Sequence, residues 1–316
     1  GRVEKVSWSK TPPALSLSET PIVSYGLAVA RGTQIITENF GSRYGLGTFT
    51  LQKVNGALVW VAPLDFKSYK EWLLGDYAPA LIVVDALSPI AAGRIVSHTA
   101  INTPVRLAFT PGAYMGKNLV RYINTKEFFS FDIKDVHLEV DDYLQPWWVA
   151  SGYSLLGDKK FGSAGKILLI DPRTGDMKSF TPDKVPSWVD ITFANSDTAE
   201  KITQWGKFSS GWGPALLGSP QLITLAPLNS ESVWTVYGSD GRSYHYGALK
   251  QNNVRSENAV SFTLSDTRTG KTVEYPLDGS KGLTPLVAVE AVTKIESLAR
   301  EFRPTTPRLC SMSARP

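Results

Sequence analysis

Few residues of this chain have types and spacing that could do chemistry, and the pair that stands out is Asp141-Asp142, close to Trp147-Trp148. Carboxylates beside indoles point toward glycoside hydrolysis, with an acid and a base flanking a sugar stacked on the rings. Such a pair must face across a cleft, whereas neighbours on a strand or turn point apart. Asp141 and Asp142 are therefore expected to be turn residues, and the two indoles core or cross-strand aromatics, with an exposed binding face as the alternative. His98, His137 and His245 lie in three separate segments and form no H-x-H or H-x-x-x-H ligand pair, so no metal site is expected. Ser209 sits in Gly-Lys-Phe-Ser-Ser-Gly-Trp-Gly (206–213) without the G-x-S-x-G spacing of a nucleophile elbow, and only a guess makes His245 its base. That stretch reads as an aromatic loop. Trp205 and Trp212 flank its serines and join Trp147 and Trp148 as candidates for an interaction surface, because Trp is enriched at interfaces. No phosphate-binding glycine loop is present, Gly45-Leu46-Gly47 being too short, and no cofactor is expected. Cys310 has no base near it in sequence and reads as an incidental thiol.

Composition narrows the classes further. The 316 residues are 42% hydrophobic and 20% charged, which excludes general disorder, and nine Trp, twelve Tyr and thirteen Phe favour strands. The net charge is +4. Residues 294–316 hold Lys294, Arg300, Arg303, Arg308 and Arg315 against Glu296 and Glu301, so most of the excess is one short tail. A nucleic-acid partner is not expected on charge grounds, since so short a stretch supplies little affinity at physiological salt. One cysteine excludes an internal disulfide and a Cys-rich zinc site. No apolar run reaches the roughly 18 residues of a membrane span. The chain is expected to be soluble as it stands and, lacking an initiator Met, to be a processed piece of something longer.

The elements that must position these residues follow a threefold pattern. Residues 49–54 lead through Asn55-Gly56 into 57–64; residues 136–140 lead through Asp141-Asp142 into 144–149; residues 232–237 lead through Asp240-Gly241 into 244–249. Each is a strand, a two-residue turn signal and an aromatic-rich strand. Downstream an apolar strand ends in Asp85, in Asp171-Pro172-Arg173-Thr174-Gly175 and in Asp266-Thr267-Arg268-Thr269-Gly270. Asp-x-x-Thr-Gly is a turn in which Asp accepts a backbone amide and Gly takes the left-handed conformation. Helices are expected before each strand set, from Thr20-Pro21 through Ile36, over 117–123 and over 199–205 behind an Asp197–Glu200 capping box, and a last one follows the third set over 286–302 after Thr284-Pro285.

The order helix, strand, DG-type turn, aromatic strand, strand, D-x-x-T-G turn, strand resembles the PepSY-like unit, carried best by residues 141–149 with 170–175 and by 240–246 with 266–270. Val140-Asp141-Asp142, Pro146-Trp147-Trp148-Val149, Ile170–Gly175 and Pro186-Ser187-Trp188-Val189-Asp190 are also similar to soluble segments of large, poorly characterised bacterial membrane proteins. The likeness covers about residues 122–190. After Asp85 the first copy departs, with Ala86-Leu87-Ser88-Pro89. The resemblance implies a soluble region outside a membrane, in modules associated with binding or regulating other proteins, and carries over no catalytic residue.

The expected fold is therefore α+β, with tandem repeats of a helix packed on a small antiparallel β-sheet. The expected divisions are 1–92 with a Pro-rich lead, 93–192, 193–280, and 281–316 as the helix of a truncated fourth unit plus a basic tail. A helix on one face predicts half-buried strands, alternating as Phe49-Thr50-Leu51-Gln52 does. The expected function is a non-enzymatic, extracytoplasmic, protein-binding or scaffold module in a membrane-associated assembly. Its rivals are a structural component of a virion or large particle and a carbohydrate or cell-wall hydrolase using Asp141 or Asp142.

Overall fold

The computed structural model describes residues 3–5, 21–90, 92–127, 131–154, 165–193, 195–208, 223–225, 233–238, 240–251 and 259–276. Among them are four helices and three sheets, antiparallel but for one edge strand, so the class is α+β with strands predominating. No described helix is long and apolar enough to cross a membrane. The chain divides into two compact units, one comprising 21–159 with 164–192 and the other 1–20, 160–163 and 193–316. The expected helix at 286–302, the basic tail and Cys310 lie outside the described residues.

In the first unit α1 (Tyr25–Phe40) begins at Ser24, whose Oγ accepts the Leu27 amide at 3.3 Å. The start expected at Thr20-Pro21 is thus displaced: Pro21 to Ser24 precede the helix, because the serine supplies the acceptor for a first-turn amide. Ala28, Gly32 and Ile36, spaced by four, form the buried stripe. A Cβ on Gly32 would come within 3.0 Å of Leu46 and Phe49, so a larger residue would require those side chains to shift. Beneath it lie β2 (Tyr44–Leu46), β3 (Thr50–Val54), β4 (Ala57–Phe66), β5 (Leu81–Asp85) and β6 (Arg94–Val96). The long β4 pairs with both β2 and β3 along one side and with β5 on the other, and β5 pairs with β6. Asn55 (φ 49°) and Gly56 (φ 80°) make the expected tight turn between β3 and β4.

The alternation expected of residues 49–52 does not mean half-burial. Phe49, Thr50, Leu51 and Gln52 are all buried, because the face of this sheet turned away from α1 meets a second sheet. Gln52 joins the two sheets. Its Nε2 donates to the Leu138 carbonyl at 2.9 Å and its Oε1 accepts the Val140 amide at 2.8 Å, standing in for a ladder rung. The second sheet is a meander of β7 (Phe131–Val140), β8 (Pro146–Ser154), β9 (Lys166–Ile170) and β10 (Met177–Phe180). It is preceded by a 3-10 turn (Met115–Lys117) and α3 (Leu119–Lys126), capped by Asn118. Leu138, Val140, Trp148, Ala150, Leu168 and Ile170 join Val54, Val61 and Leu81 in one hydrophobic core. A six-residue helix missed in the sequence, α2 (Tyr69–Leu74), follows β4.

The second unit holds α4 (Asn195–Phe208), β11 (Ile223–Leu225), β12 (Trp234–Tyr237), β13 (Ser243–Gln251), β14 (Ala259–Asp266) and β15 (Thr272–Pro276). Strands β12 to β15 form a meander, β11 also pairs with β13, and β1 (Val3–Lys5) adds a parallel edge to β15. Asp197 lies inside α4, which starts at Asn195, so the expected capping box does not open it. One face of the sheet carries the aromatic cluster of Tyr244, Tyr246, Phe262 and Tyr275. The other is unusually polar yet buried: Ser265 bonds Thr272 at 2.8 Å, Thr198 on α4 bonds His245 Nδ1 at 2.7 Å, and Lys201 donates to the Gly270 carbonyl. Burial there is offset by these hydrogen bonds to neighbouring side chains and backbone.

The turns follow the sequence more closely than the helix starts do. Asp171 and Asp266 open loops with the same bonds: the Gly175 and Gly270 amides return to the aspartate carbonyls, both at 2.8 Å, and the carboxylates accept the Arg173 and Arg268 amides. Gly175 and Gly270 are left-handed, as expected. The Asp141-Asp142 turn, by contrast, is longer than two residues. The Asp141 amide donates to the Gln145 carbonyl, and Leu144 takes the left-handed position (φ 60°), so a three-residue loop closes through one αL residue. The loop before β13 closes alike, Gly238 to Arg242, with Gly241 in the left-handed position.

Candidate functional site

The aspartates that look most catalytic in the sequence serve their turn. Asp141 Oδ1 accepts the amides of Tyr143 (2.9 Å) and Gln145 (3.0 Å), and Oδ2 accepts the Trp147 indole at 3.4 Å. Asp142 is exposed, and its carbonyl accepts the Asn55 side chain. Of the four tryptophans expected at an interaction surface, Trp148 is 3% exposed, with its indole bonded to the Phe109 carbonyl at 2.7 Å. Trp147 is half-buried, with Trp188 6.2 Å away and Lys178 over its ring. Trp205 packs partly buried against the cluster of Ile202, Val233 and Leu249. Trp212 and Ser209 lie outside the described residues. Trp147 and Trp148, neighbours on β8, point to opposite faces of their sheet.

A charged cluster the sequence reading missed lies on the outer face of β7. Asp135, His137 and Glu139 alternate along the strand and so share that face. Asp135 Oδ2 contacts His137 Nδ1 at 2.6 Å, and Glu139 Oε1 contacts Nε2 at 2.9 Å. Glu139 is wholly buried, and its oxygens also accept the Asp190 (2.8 Å) and Ile191 (3.0 Å) amides. Asp190 in turn accepts the Lys53 amide at 3.0 Å, tying the segment to β3. Burial pulls the imidazole toward its neutral form. The charges and hydrogen bonds of Asp135 and Glu139 outweigh that and raise the His137 pKa to about 10. The ring is thus a protonated bridge with both nitrogens engaged, a poor general base. Its carboxylates sit on opposite nitrogens and do not converge on one point, and no described group of His, Cys, Asp or Glu is arranged to hold a metal. His98 is exposed beside Ser97, and His245 belongs to the polar face under α4.

The surface best suited to contact another body is a ridge on α2 and the Met115–Lys117 turn. Leu73 and Leu74 are each 65% exposed and Met115 60%, beside the exposed Tyr69 and Tyr114. Trp72 lies 5.7 Å from Tyr69 and 5.8 Å from Tyr114, with those two tyrosines 5.3 Å apart. Ser68 starts α2 by accepting the Glu71 amide at 3.4 Å. The other half of the ridge is held by Asp65 at the end of β4, which accepts the Thr110 hydroxyl and the Gly112 amide (2.8 Å). Burial raises the Asp65 pKa against the opposing effect of these bonds. Gly112 is required there, since a Cβ would fall 2.6 Å from Asp65 Oδ1.

Both missed features had a signal. Asp135-Val136-His137-Leu138-Glu139 is a period-two charged series, and Ser68-Tyr69-Lys70-Glu71 is a Ser-x-x-Glu capping pattern before Trp72-Leu73-Leu74. Against protein-family models, curated proteins and solved structures, the chain finds no match.

Proposed function

We propose that the chain is a non-catalytic binding or scaffold module, extracytoplasmic and part of a membrane-associated assembly, made of three tandem PepSY-like units. The observation that carries the reading is the exposed ridge of Tyr69, Leu73, Leu74, Tyr114 and Met115. Contiguous exposed apolar side chains rimmed by polar ones mark contact surfaces rather than reaction sites. The engagement of Asp141 and His137 in local bonds supports the same reading, since neither is left available for proton transfer.

The tandem reading draws on topology. Helices α1, α3 and α4 each precede a four-strand meander. In the first and third sheets two short strands share one side of the second meander strand: β2 and β3 on β4, β11 and β12 on β13. In the second, β7 covers β8 alone, with a register break between Ile133 and Asp135 where the others are split. The paired Asp-x-x-Thr-Gly turns add a matching detail. Native gels of membrane fractions from cells carrying the full-length gene test the function. The wild type is expected in a high-mass membrane-fraction complex that Leu73→Asp/Leu74→Asp leaves. A variant that stays in the complex, or a wild type absent from that fraction, overturns the reading.

A further inference from the structure

We infer that the ridge on α2 and the Met115–Lys117 turn seats on the interface of an anionic lipid bilayer; this rests on the proposed membrane-associated role and names the partner of that surface.

The side-chain chemistry is that of an interfacial anchor. Tyr69, Trp72 and Tyr114 have apolar rings with a polar tip, the kind of side chain that settles at headgroup level. Leu73, Leu74 and Met115 project beside them with more than half of their surface exposed. Side chains this exposed protrude, and a protruding apolar set inserts into a fluid interface without needing a shaped pocket on the other side. A protein hot spot, by contrast, fills a well-packed pocket on its partner.

Charge points the same way. Arg43, Lys67 and Lys70 are exposed and Lys117 half-buried around the ridge, against Glu71 and Asp76. Arg43 is placed there by a bond to the Leu74 carbonyl (3.4 Å) at the end of α2, and by its contact with the Tyr44 ring. The Lys67 stem lies against the Gly45 backbone beside the same strand pair. An apolar ridge ringed by an excess of cations matches a surface of anionic headgroups over hydrocarbon. Binding then combines insertion with an electrostatic attraction that salt screens.

Cosedimentation of the full chain with vesicles of phosphatidylglycerol and phosphatidylcholine, and of phosphatidylcholine alone, tests this. The wild type is expected to bind the anionic vesicles, weakly or not at all the zwitterionic ones, and less at high salt. Leu73→Asp/Leu74→Asp is expected to abolish measurable binding, and Lys67→Gln/Lys70→Gln to weaken it about thirty-fold, from roughly fivefold per cation near the surface. Tyr143→Asp, at an exposed tyrosine of the distant β7–β8 turn, is expected to bind as the wild type does and to control for folding. Three results overturn the inference: no binding to either vesicle, binding that survives Leu73→Asp/Leu74→Asp, or equal binding to both vesicles. If vesicles fail to bind yet the same variant still leaves the native assembly, the ridge contacts protein, and the proposed function stands without the lipid. If the variant stays in the assembly as well, both fall.

Discussion

Residue by residue, the charged groups of this protein are used mainly to hold backbone. His137 ties its ionisation to stability through its bridge to Asp135 and Glu139. The folded protein keeps its proton up to about pH 10, whereas an unperturbed histidine releases it near pH 6.5. The stabilisation is therefore complete below pH 6.5 and is lost as pH rises through the window to about 10. The melting temperature is expected to fall across that window. In His137→Gln it is expected to be lower at pH 6 and to change little with pH. A wild-type profile as flat as that of the variant would show that the bridge is not charged. The same habit explains Asp141, Asp171 and Asp266, whose carboxylates accept amides two to four residues ahead in their own turns. For Asp171 and Asp266 this was legible from the Thr and Gly that follow, and for Asp141 from its place between two strands. The Asp135–His137–Glu139 series was not, because its meaning depends on β7 having a covered outer face.

At the scale of elements, short connections do the positioning. Asp65 ties the end of β4 to residues 110–112, and from there the chain runs into Tyr114 and the Met115–Lys117 turn. Asp65→Ala removes the acceptor of the Thr110 hydroxyl and Gly112 amide in a mostly buried place, and is expected to cost about 2–3 kcal/mol. Beyond that loss, the 110–117 segment is expected to gain hydrogen exchange ahead of the β4–β5 pair. Equal exchange in both would mean that the carboxylate does not hold the ridge in place. Helix α2 was readable in principle from Ser68 and Glu71, but six residues carry too short a periodicity to announce a helix. The starts of α1 and α4 were misplaced for a related reason. Thr-Pro and Asp-x-x-Glu are permissive signals, and at α1 the cap used is Ser24, whose side chain lies next to a first-turn amide.

Across the whole molecule the chain is not simply serial. The β1 strand pairs in parallel with β15, Val3 opposite Thr272 and Lys5 opposite Glu274, so residues near the start complete a sheet built near the other end. Deleting residues 1–5 is expected to raise hydrogen exchange in 272–276, which lose that partner, and to leave 146–154 in the other compact unit unchanged. Equal exchange at 272–276 with and without the strand would show that the pairing contributes nothing. The first two sheets share one core, an arrangement that the sequence pattern of separate helix-and-sheet segments does not announce.

What the sequence determined by itself is local: the Asn55-Gly56 hairpin, the two Asp-x-x-Thr-Gly turns, the order of strands within each meander and the α+β class. These depend on backbone conformations that only certain residues tolerate, so residue identity is enough. The tertiary structure decided the rest. It buried both faces of β3, where Gln52 bridges two sheets, and it settled Trp148 in the core rather than on an exposed face. It converted a histidine flanked by alternating acids into a closed charged bridge and left α2 with its leucines outward. Each of these depends on what packs against a face, and a strand's own pattern reports only that it has two.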